Sequence, residues 1–409
     1  MICRHCNSKL IDSFIDLGSS PPSNAYLSEA QMKKSEKWYP LKVFVCDQCW
    51  LVQTQDFVGA NEMFSDGYAY YSSYSSSWLA HAKIYIKKMS NRFHLDSESN
   101  VVEVAANDGY LLQYVKEKNI PCYGVEPTHG TAKAARQKGI EIIEEFFGEQ
   151  LAIDLLKQGR QADLIVANNV LAHVPDINDF VKGFSVLLKK DGVATFEFPY
   201  LVNLVEKNQF DTIYHEHYSY LSLSSVKAIF EFNGLKIFDV EQIKTHGGSL
   251  RVFTERSDRK NKRTESLIVN ELLLNEEKKG YLAKDVYSKV QLNAEKTKDD
   301  FLDFLISTKK QGKSVFAFGA AAKGNTFINF AGIRTDLISA VGDSNPEKQG
   351  KYMPGSRIPI ISERDLAIFK PNYVVILPWN LCDEIINNLS YMTKWGCRFV
   401  VAIPELKIL

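Results

Sequence analysis

Strands and helices alternate between about residues 100 and 256, and this alternation limits the fold of the chain more than any other pattern in it. Short apolar runs that suit buried strands are separated by segments whose apolar residues have helical spacing. The predicted strands are 101–105, 122–125, 163–166 and 193–198, and the predicted helices are 111–118 and 132–138. This alternation predicts parallel strands joined by helical crossovers, and therefore a domain of the α/β class.

A second α/β unit is predicted near the C-terminus. A strand over 314–318 runs into a turn of small residues and is followed by predicted strands at 337–341 and 373–377. Between the two units, residues 257–312 are rich in Lys, Glu and Leu at helical spacing, including 265–277 and 285–305. This stretch predicts a helical bridge. The length of 409 residues agrees with two to three domains.

Four of the seven cysteines form two Cys-x-x-Cys pairs. Cys3 and Cys6 make the first pair, and Cys46 and Cys49 make the second. Each pair can present two thiolates on a tight turn, as a tetrahedral zinc site requires, and four cysteines leave no open position for water. We therefore predict a structural zinc. A redox dithiol is the alternative, although one pair would be enough for it. Apart from the cysteines the segment shows no core, and His5 is expected to be a spare, exposed side chain.

The charge balance disfavours several classes of partner. The 49 basic and 49 acidic residues cancel, so electrostatics favours neither nucleic acid nor an anionic membrane. No uninterrupted apolar run reaches the ~20 residues of a membrane span, and the first residues do not resemble a signal peptide. We expect a cytoplasmic protein without nucleic-acid or membrane partners.

A polar turn follows the first predicted strand of the central unit. Glu103 lies in that strand, and Asn107, Asp108 and Gly109 form a turn whose backbone amides can face a ligand at the start of a helix. The Gly-x-Gly-x-x-Gly pattern of dinucleotide-binding turns is absent, which favours a ligand without pyrophosphate, such as S-adenosylmethionine. A small-residue turn after a strand is also common in any α/β fold, so the turn alone leaves both interpretations open.

Two further strand ends add polar groups to the same predicted edge. Glu126 follows the strand at 122–125 and is placed to accept hydrogen bonds from two ribose hydroxyls, although it is equally suited to cap a helix or face solvent. Asn168 and Asn169 follow the strand at 163–166 and are expected to line the methionine end of the pocket. The order and spacing of these strand ends predict a cofactor site.

Residues 214–217 read Tyr-His-Glu-His, a run of polar side chains downstream of the predicted cofactor turn. Such a run beside a cofactor indicates acid–base chemistry. His215 and His217 share one face of an extended segment, so metal chelation is an alternative, but no further Asp or His at ligand spacing completes a set. We expect His215 to be structural.

The order of these motifs resembles that of the S-adenosylmethionine-dependent C-methyltransferases that act on nucleotide-linked deoxysugars. The resemblance covers essentially the whole chain and rests on the paired Cys-x-x-Cys motifs and on residues 103–109, 214–217, 246–251 and 318–325. Ala105 stands where relatives often carry glycine, and its methyl group narrows the cofactor loop without excluding the cofactor. The implied organisation is a zinc-binding domain over 1–75, a Rossmann-like methyltransferase domain over 76–256, a helical bridge over 257–312 and a Rossmann-like nucleotide-sugar-binding domain over 313–409.

The resemblance implies methylation of a sugar carbon next to a ketone, commonly C3 of a 4-keto-6-deoxyhexose linked to thymidine diphosphate. That carbon reacts only after it loses a proton, so the site needs a base and a group that stabilises the enolate oxygen. By the match to the family's motif, His217 is the predicted base, Glu216 orients the site and Tyr214 hydrogen-bonds the keto or enolate oxygen. His173 is the predicted second histidine near the sugar.

The family also uses a tyrosine from the N-terminal part of the chain. Tyr70 is favoured here, followed by Tyr68 and then Tyr71, while an aromatic hinge that packs the zinc domain onto the core is the alternative.

Two cations and an amide are predicted to bind the nucleotide sugar. Arg251 follows a Gly-Gly turn and Lys323 lies in the C-terminal small-residue loop, so both suit a diphosphate, and Asn325 adds a hydrogen bond. A solvated surface lysine is the alternative for Lys323. O- or N-methylation of a small metabolite, and a non-catalytic scaffold that binds a nucleotide sugar, are the other functions that the sequence leaves open.

Overall fold

A computed structural model describes residues 1–57 and 71–409, and over those residues it shows three β-sheets. The first sheet begins with β1 (Asp12–Ser20), β2 (Tyr39–Val45) and β3 (Val52–Thr54), which pair in an antiparallel manner. Phe14, Ile15 and Val43 are at most 1% exposed. The expectation of a segment without its own core is therefore wrong, because the strands bury apolar side chains beside the cysteines.

The central domain contains a seven-stranded sheet. Five strands are parallel and run in chain order as β4 (Val101–Val104), β5 (Cys122–Val125), β6 (Ile142–Ile143), β7 (Ala162–Asn168) and β8 (Leu188–Pro199). The short strand β9 (Ser219–Tyr220) pairs with β3 and so extends the first sheet. Strands β10 (Leu235–Ile243) and β11 (Ser249–Arg256) form an antiparallel hairpin, with β11 antiparallel to β8.

The strand order of the central sheet is β10-β11-β8-β7-β4-β5-β6. From β4 the chain moves outward through β5 and β6, and from β7 it moves the other way to β8. The predicted parallel sheet is confirmed, whereas the β10–β11 hairpin was not predicted. In open α/β sheets the ligand crevice lies at the carboxyl ends of the strands where the order reverses, which here is between β4 and β7.

Helices cover both faces of this sheet and precede its strands. They are α1 (Ser76–Phe93), α2 (Leu112–Lys116), α3 (His129–Gln137), α4 (Glu149–Lys157), α5 (Ile177–Leu187), α6 (Leu201–Glu206) and α7 (Leu223–Phe232). The predicted helices at 111–118 and 132–138 correspond to α2 and α3. None of the described helices is both long enough and apolar enough to cross a membrane.

The predicted helical bridge is present as α8 (Leu267–Lys278) and α9 (Val290–Lys310). The second helix begins later than predicted, because residues Tyr287–Lys289 form a 3₁₀ turn. The domain limits at residues 75, 256 and 312 stay predictions, since β9 lies in the central stretch of the chain and yet completes the N-terminal sheet.

The C-terminal sheet has the order β14-β13-β12-β15-β16-β17. Its strands are β12 (Val315–Phe318), β13 (Val341–Gly342), β14 (Ile360–Ile361), β15 (Tyr373–Ile376), β16 (Arg398–Val401) and the antiparallel β17 (Lys407–Ile408). Helices α10 (Ala322–Phe330), α11 (Glu363–Ile368) and α12 (Cys382–Leu389) connect them. The strand order reverses between β12 and β15, so this Rossmann-like domain has a second crevice there.

One buried carboxylate joins the bridge to the central domain. Glu276 of α8 is 0% exposed and accepts hydrogen bonds from the hydroxyl of Tyr200 at 2.8 Å and from the backbone amides of Leu223 at 2.6 Å and Ser224 at 2.8 Å. Those two amides belong to the first turn of α7, where helical amides have no partner within the helix and a negative charge is favourable.

We expect Glu276→Ala to lower the free energy of unfolding by about 2–4 kcal/mol, because it leaves the hydroxyls of Tyr200 and Ser224 and the amides of Leu223 and Ser224 without their acceptor. Denaturant unfolding of the full chain, followed by circular dichroism, measures the loss. Glu277→Ala on the exposed side of the same helix is the matched control and should change stability by less than about 0.5 kcal/mol. Equal effects of the two changes would contradict the assigned role of Glu276.

Candidate active site and metal centre

The four cysteines of the Cys-x-x-Cys pairs meet in one cluster. The Sγ atoms of Cys3 and Cys49 are 3.5 Å apart, as are those of Cys6 and Cys46, and all four lie within 4.8 Å of one another. Zinc–sulfur bonds of about 2.3 Å place tetrahedral sulfur atoms about 3.8 Å apart, so the cluster fits zinc. Gln53 donates a hydrogen bond to the sulfur of Cys3 at 3.2 Å, which stabilises a thiolate there.

The two turns that carry the cysteines have the same backbone geometry. Asn7 and Trp50 each follow the second cysteine of a pair with φ of 61° and 58°, in the left-handed region. Their amides donate to the carbonyls of Cys3 and Cys46, respectively, both at 3.0 Å. Each pair is therefore held on a closed turn that points both sulfur atoms toward the same centre.

The prediction that His5 is exposed is wrong. Its side chain is 7% exposed, and Nδ1 lies 2.9 Å from the Oδ1 atom of Asn178 in α5. The ring also packs edge-on against Phe232 at the end of α7. His5 thus attaches the first cysteine turn to the central domain, a contact for which a Cys-x-x-Cys pattern gives no signal.

We expect the purified chain to hold one zinc ion, and Cys46→Ser to remove it, since a hydroxyl is a much poorer zinc ligand than a thiolate. Elemental analysis by mass spectrometry measures the metal content. Cys382→Ser, far from the cluster in sequence and at the start of α12, is the control and should retain the ion. Zinc retained in full by Cys46→Ser would contradict the assignment.

The loop after β4 has the backbone of a ligand-binding turn. Ala105, Asn107 and Gly109 have φ of 60°, 49° and 74°, all left-handed. At Gly109 a Cβ atom would lie 2.5 Å from Cδ1 of Ile140, so this position requires glycine. For Ala105 the same backbone region costs about 1–2 kcal/mol, which makes it the strained residue of the loop.

Glu126 supports this loop from the end of β5. Its carboxylate accepts hydrogen bonds from the amide of Asn107 at 3.0 Å, the amide of Thr128 at 3.0 Å and the hydroxyl of Thr131 at 3.1 Å. Burial raises its pKa, and these donors lower it. The predicted contact with the ribose stays a prediction, and the structure adds that Glu126 shapes the turn.

Polar atoms at the crevice fit a polar ligand. Within residues 1–57 and 71–409, both side-chain polar atoms of Asn169 and the Oδ1 atom of Asp108 are buried without a hydrogen-bond partner. Asn168 at the end of β7 is 8% exposed, and burial raises the pKa of Glu103 in β4 well above its usual range. Unsatisfied buried groups cost about 1–3 kcal/mol each, so the crevice is suited to bind a ligand with several polar groups, as S-adenosylmethionine has.

Arg251, which the sequence predicts at the diphosphate, is paired with carboxylates inside the central domain. It lies in β11 with 4% exposure, and its guanidinium group is paired with Glu197 of β8 and, at 3.0 Å, with Glu241 of β10. The Nε2 atom of His81 in α1 lies 2.9 Å from Glu197. The charge of Arg251 is already neutralised inside the domain, so we assign it to joining these strands.

Asn325, predicted to add a hydrogen bond to the nucleotide sugar, has a partner within the protein. It is 0% exposed in α10, and its amide donates to the carbonyl of Ser23 at 2.6 Å. Lys323, two residues earlier, lies at the second crevice. Its Nζ atom donates to Oδ1 of Asn380 at 2.7 Å and lies 4.6 Å from the ring centre of Trp379.

The residues of the Tyr-His-Glu-His run and His173 come together. The ring of His217 lies 4.0 Å from that of Tyr214 and 4.6 Å from that of His173, measured between ring centres. Nδ1 of His217 is 2.9 Å from the carbonyl oxygen of Thr212. A carbonyl only accepts, so Nδ1 carries the proton, and Nε2 is the basic nitrogen of the neutral ring.

Burial governs protonation in this cluster. It lowers the pKa of His173 to about 4 and that of His217 well below its usual value, with His173 as the next cause for His217. The carboxylate of Glu216 receives two hydrogen bonds from the amide of Asn24, at 2.7 and 2.9 Å, and burial raises its pKa to about 7. His215 contacts the carbonyl of Pro40 at 3.2 Å, as expected for a structural residue.

Several residues at the site had no signal in the sequence. Asn24 and Asp211 have polar partners far away along the chain. His246 belongs to the motif 246–251 but had no predicted role; it lies in a left-handed turn with its ring centre 5.3 Å from that of Trp78. Tyr70 and Tyr68, two of the predicted tyrosines, lie outside the described residues. Tyr71 is described, and its hydroxyl lies beside Gly130 in α3.

The strand order of the central sheet and the polar crevice between β4 and β7 define a Rossmann-like S-adenosylmethionine-dependent methyltransferase domain. Family models agree: a zinc-binding domain matches residues 3–64, a methyltransferase domain matches 79–240 and a C-methyltransferase C-terminal domain matches 244–404. Among curated proteins, the C-methyltransferase NovU of Streptomyces niveus is 32% identical over 407 residues, which cover 100% of this chain and 96% of NovU.

Two solved structures show more distant similarity. An S-adenosylmethionine-dependent methyltransferase from Clostridium acetobutylicum is 14% identical with a TM-score of 0.35, over 42% of this chain and 90% of that one. The magnesium protoporphyrin IX methyltransferase of Synechocystis is 14% identical with a TM-score of 0.35, over 44% and 83%. On the full-length match to NovU, the chain belongs to the family of S-adenosylmethionine-dependent C-methyltransferases with an N-terminal zinc-binding domain.

The buried carboxyl of Glu216 makes stability depend on pH. In the folded chain this group has a pKa of about 7, against 4.5 for an ordinary glutamate, so folding favours its protonated form. The contribution of protonated Glu216 to the free energy of unfolding is complete below pH 4.5 and is lost as the pH rises through 7. Glu216→Gln is expected to gain about 1–3 kcal/mol relative to the native chain between pH 5 and pH 8.

Denaturant unfolding at both pH values measures this change. Glu98→Gln, at an exposed position, is the control and should show no pH-dependent gain. If Glu216→Gln instead loses stability relative to the native chain between pH 5 and pH 8, folding favours the carboxylate form of Glu216 and the prediction is wrong.

Proposed function

We propose that this C-methyltransferase acts on a nucleotide-linked 4-keto-6-deoxyhexose and methylates C3, the carbon next to the ketone. The observation that carries the proposal is the neutral ring of His217, whose basic Nε2 is set by the Thr212 carbonyl and whose neighbours are Tyr214 and His173. Methylation of oxygen or nitrogen needs less help from a base, whereas a carbon acid requires one.

In this mechanism the Nε2 atom of His217 takes the proton from C3, and the carbonyl of Thr212 stabilises the imidazolium that forms. The hydroxyl of Tyr214 donates a hydrogen bond to the enolate oxygen, and Glu216 keeps the segment in place through Asn24. S-Adenosylmethionine, when bound, supplies the methyl group to the enolate carbon. Residues Asp108, Asn168 and Asn169 would hold that cofactor beside the base.

Lys323 is the proposed contact for the diphosphate of the nucleotide. It lies at the crevice of the C-terminal sheet, and Asn380 orients its ammonium group at 2.7 Å. Burial lowers its pKa, and the charge of Asp211 raises it. A partly desolvated cation gains more from a diphosphate than one in water, since the interaction is less screened.

The test is a transfer assay with labelled S-adenosylmethionine and a panel of thymidine diphosphate 4-keto-6-deoxysugars. We expect label on the sugar carbon with the native chain, and a loss of about 100-fold or more in His217→Ala. His94→Asn is the matched control, because His94 is exposed in a left-handed turn that asparagine tolerates, and it should keep full activity.

Calorimetric titration with S-adenosylmethionine accompanies the assay. Cofactor binding without transfer to any sugar of the panel would overturn the proposed substrate. Transfer that is unimpaired in His217→Ala would overturn the proposed base.

A further inference from the structure

The C-terminal domain contacts the segment that carries the proposed base. The indole Nε1 of Trp379, just after β15, donates to Oδ2 of Asp211 at 2.7 Å. The hydroxyl of Thr326 in α10 donates to the carbonyl of Ile213 at 2.8 Å. Two hydrogen bonds thus reach across the domain boundary to Asp211 and Ile213, three residues and one residue before Tyr214.

The ring of Trp379 is wedged between two loops of the central domain. On one side lies Asp211, and on the other lies Gly247, where a Cβ atom would be 2.5 Å from Cη2 of the ring. Gln209 donates to the carbonyl of Gly247 at 3.0 Å and so joins the two loops behind the ring. These contacts hold the indole in one orientation, in which its N–H group faces the carboxylate of Asp211.

The path from Asp211 to His217 is short. Asp211 is the middle residue of the 3₁₀ turn Phe210–Thr212 and is 1% exposed. The carbonyl of the next residue, Thr212, accepts the hydrogen bond from Nδ1 of His217. A shift of Asp211 would move this carbonyl and release the proton on Nδ1, because an imidazole without that acceptor can carry its proton on either nitrogen.

An alternative role for Asp211 is a plain ion pair with Lys323. The ammonium group of Lys323 has its hydrogen bond to Asn380, while the carboxylate of Asp211 has its hydrogen bond from the indole. The N–H group of a tryptophan makes a directional hydrogen bond and carries no charge. The contact with Asp211 is therefore suited to position the turn rather than to neutralise a charge.

We propose that Trp379 is a positioning residue that fixes the tautomer of His217 through Asp211 and the carbonyl of Thr212. The C-terminal domain thereby prepares the base, in addition to any contact that it makes with the substrate. The functional consequence rests on the proposed role of His217 as base, whereas the effect on the tautomer does not.

The experiment compares full-length variants by nitrogen NMR of ¹⁵N-histidine-labelled protein and by transfer kinetics. Trp379→Phe removes the indole N–H group, and Trp395→Phe is the matched control, since Trp395 donates to the carbonyl of Pro371 within the C-terminal domain. We expect Trp379→Phe to populate both tautomers of His217 and to lower kcat about 10- to 100-fold, with KM changed less than about twofold.

Asp211→Asn serves as the conservative variant. It keeps an acceptor for the indole and should retain the native tautomer and most of kcat, whereas Asp211→Leu should behave like Trp379→Phe. If Trp379→Phe keeps the native tautomer, or if Asp211→Asn loses it as fully as Asp211→Leu, the positioning role is overturned. Absence of transfer to any sugar would count against the proposed function alone, because the tautomer is read without substrate.

Discussion

The segment from Asp211 to Tyr218 is held by all three parts of the chain, and the geometry of the site depends on that shared hold. Asn24 of the N-terminal part binds Glu216, and Thr54 donates its hydroxyl to the carbonyl of His217 at 3.0 Å. The amide of Tyr218 donates to the carbonyl of Ala172, next to His173, at 2.8 Å. A short segment with little regular structure has a high entropic cost for a single geometry, so contacts from several sides make a fixed base feasible.

The zinc cluster contributes to this hold although it lies outside the chemistry. Gln53 donates to the sulfur of Cys3, and its own carbonyl oxygen on the side chain accepts from the amide of Arg4 at 2.9 Å. Thr54, the next residue of β3, reaches the carbonyl of His217. The second cysteine turn leads directly into β3, which lies between β2 and β9 in the sheet, and β3 aligns one side of the proposed base. A structural ion can thus matter for activity through the backbone it orders.

The sequence predicts the features that depend on neighbouring residues, and it does not predict contacts between residues that are far apart along the chain. The strands around Val101 and Cys122 were predicted to within a residue, because each apolar run is local and bounded by turn residues. Asn24 and Asp211 gave no signal, since their partners lie 192 and 168 residues away. The ion pairs of Arg251 with Glu197 and Glu241 gave no signal for the same reason, because the sequence around an arginine does not show which distant carboxylates it will contact.

The place where the three parts of the chain meet, around residues 211–217 and Lys323, favours the neutral forms of its side chains. This limits how strong a base the site can provide. Burial lowers the pKa of His217 and of Lys323, and it raises the pKa of Asp211 to about 7. A buried imidazole is available as a neutral base but binds a proton less strongly than one in water, so it removes a proton from carbon only if the enolate is stabilised at the same time. A low-dielectric site strengthens the hydrogen bond from Tyr214 and the attraction between the new imidazolium and the enolate. Burial therefore makes His217 a weaker base, and it also strengthens the interactions that stabilise the enolate. Both effects require that the three domains keep water away from His217 and Tyr214.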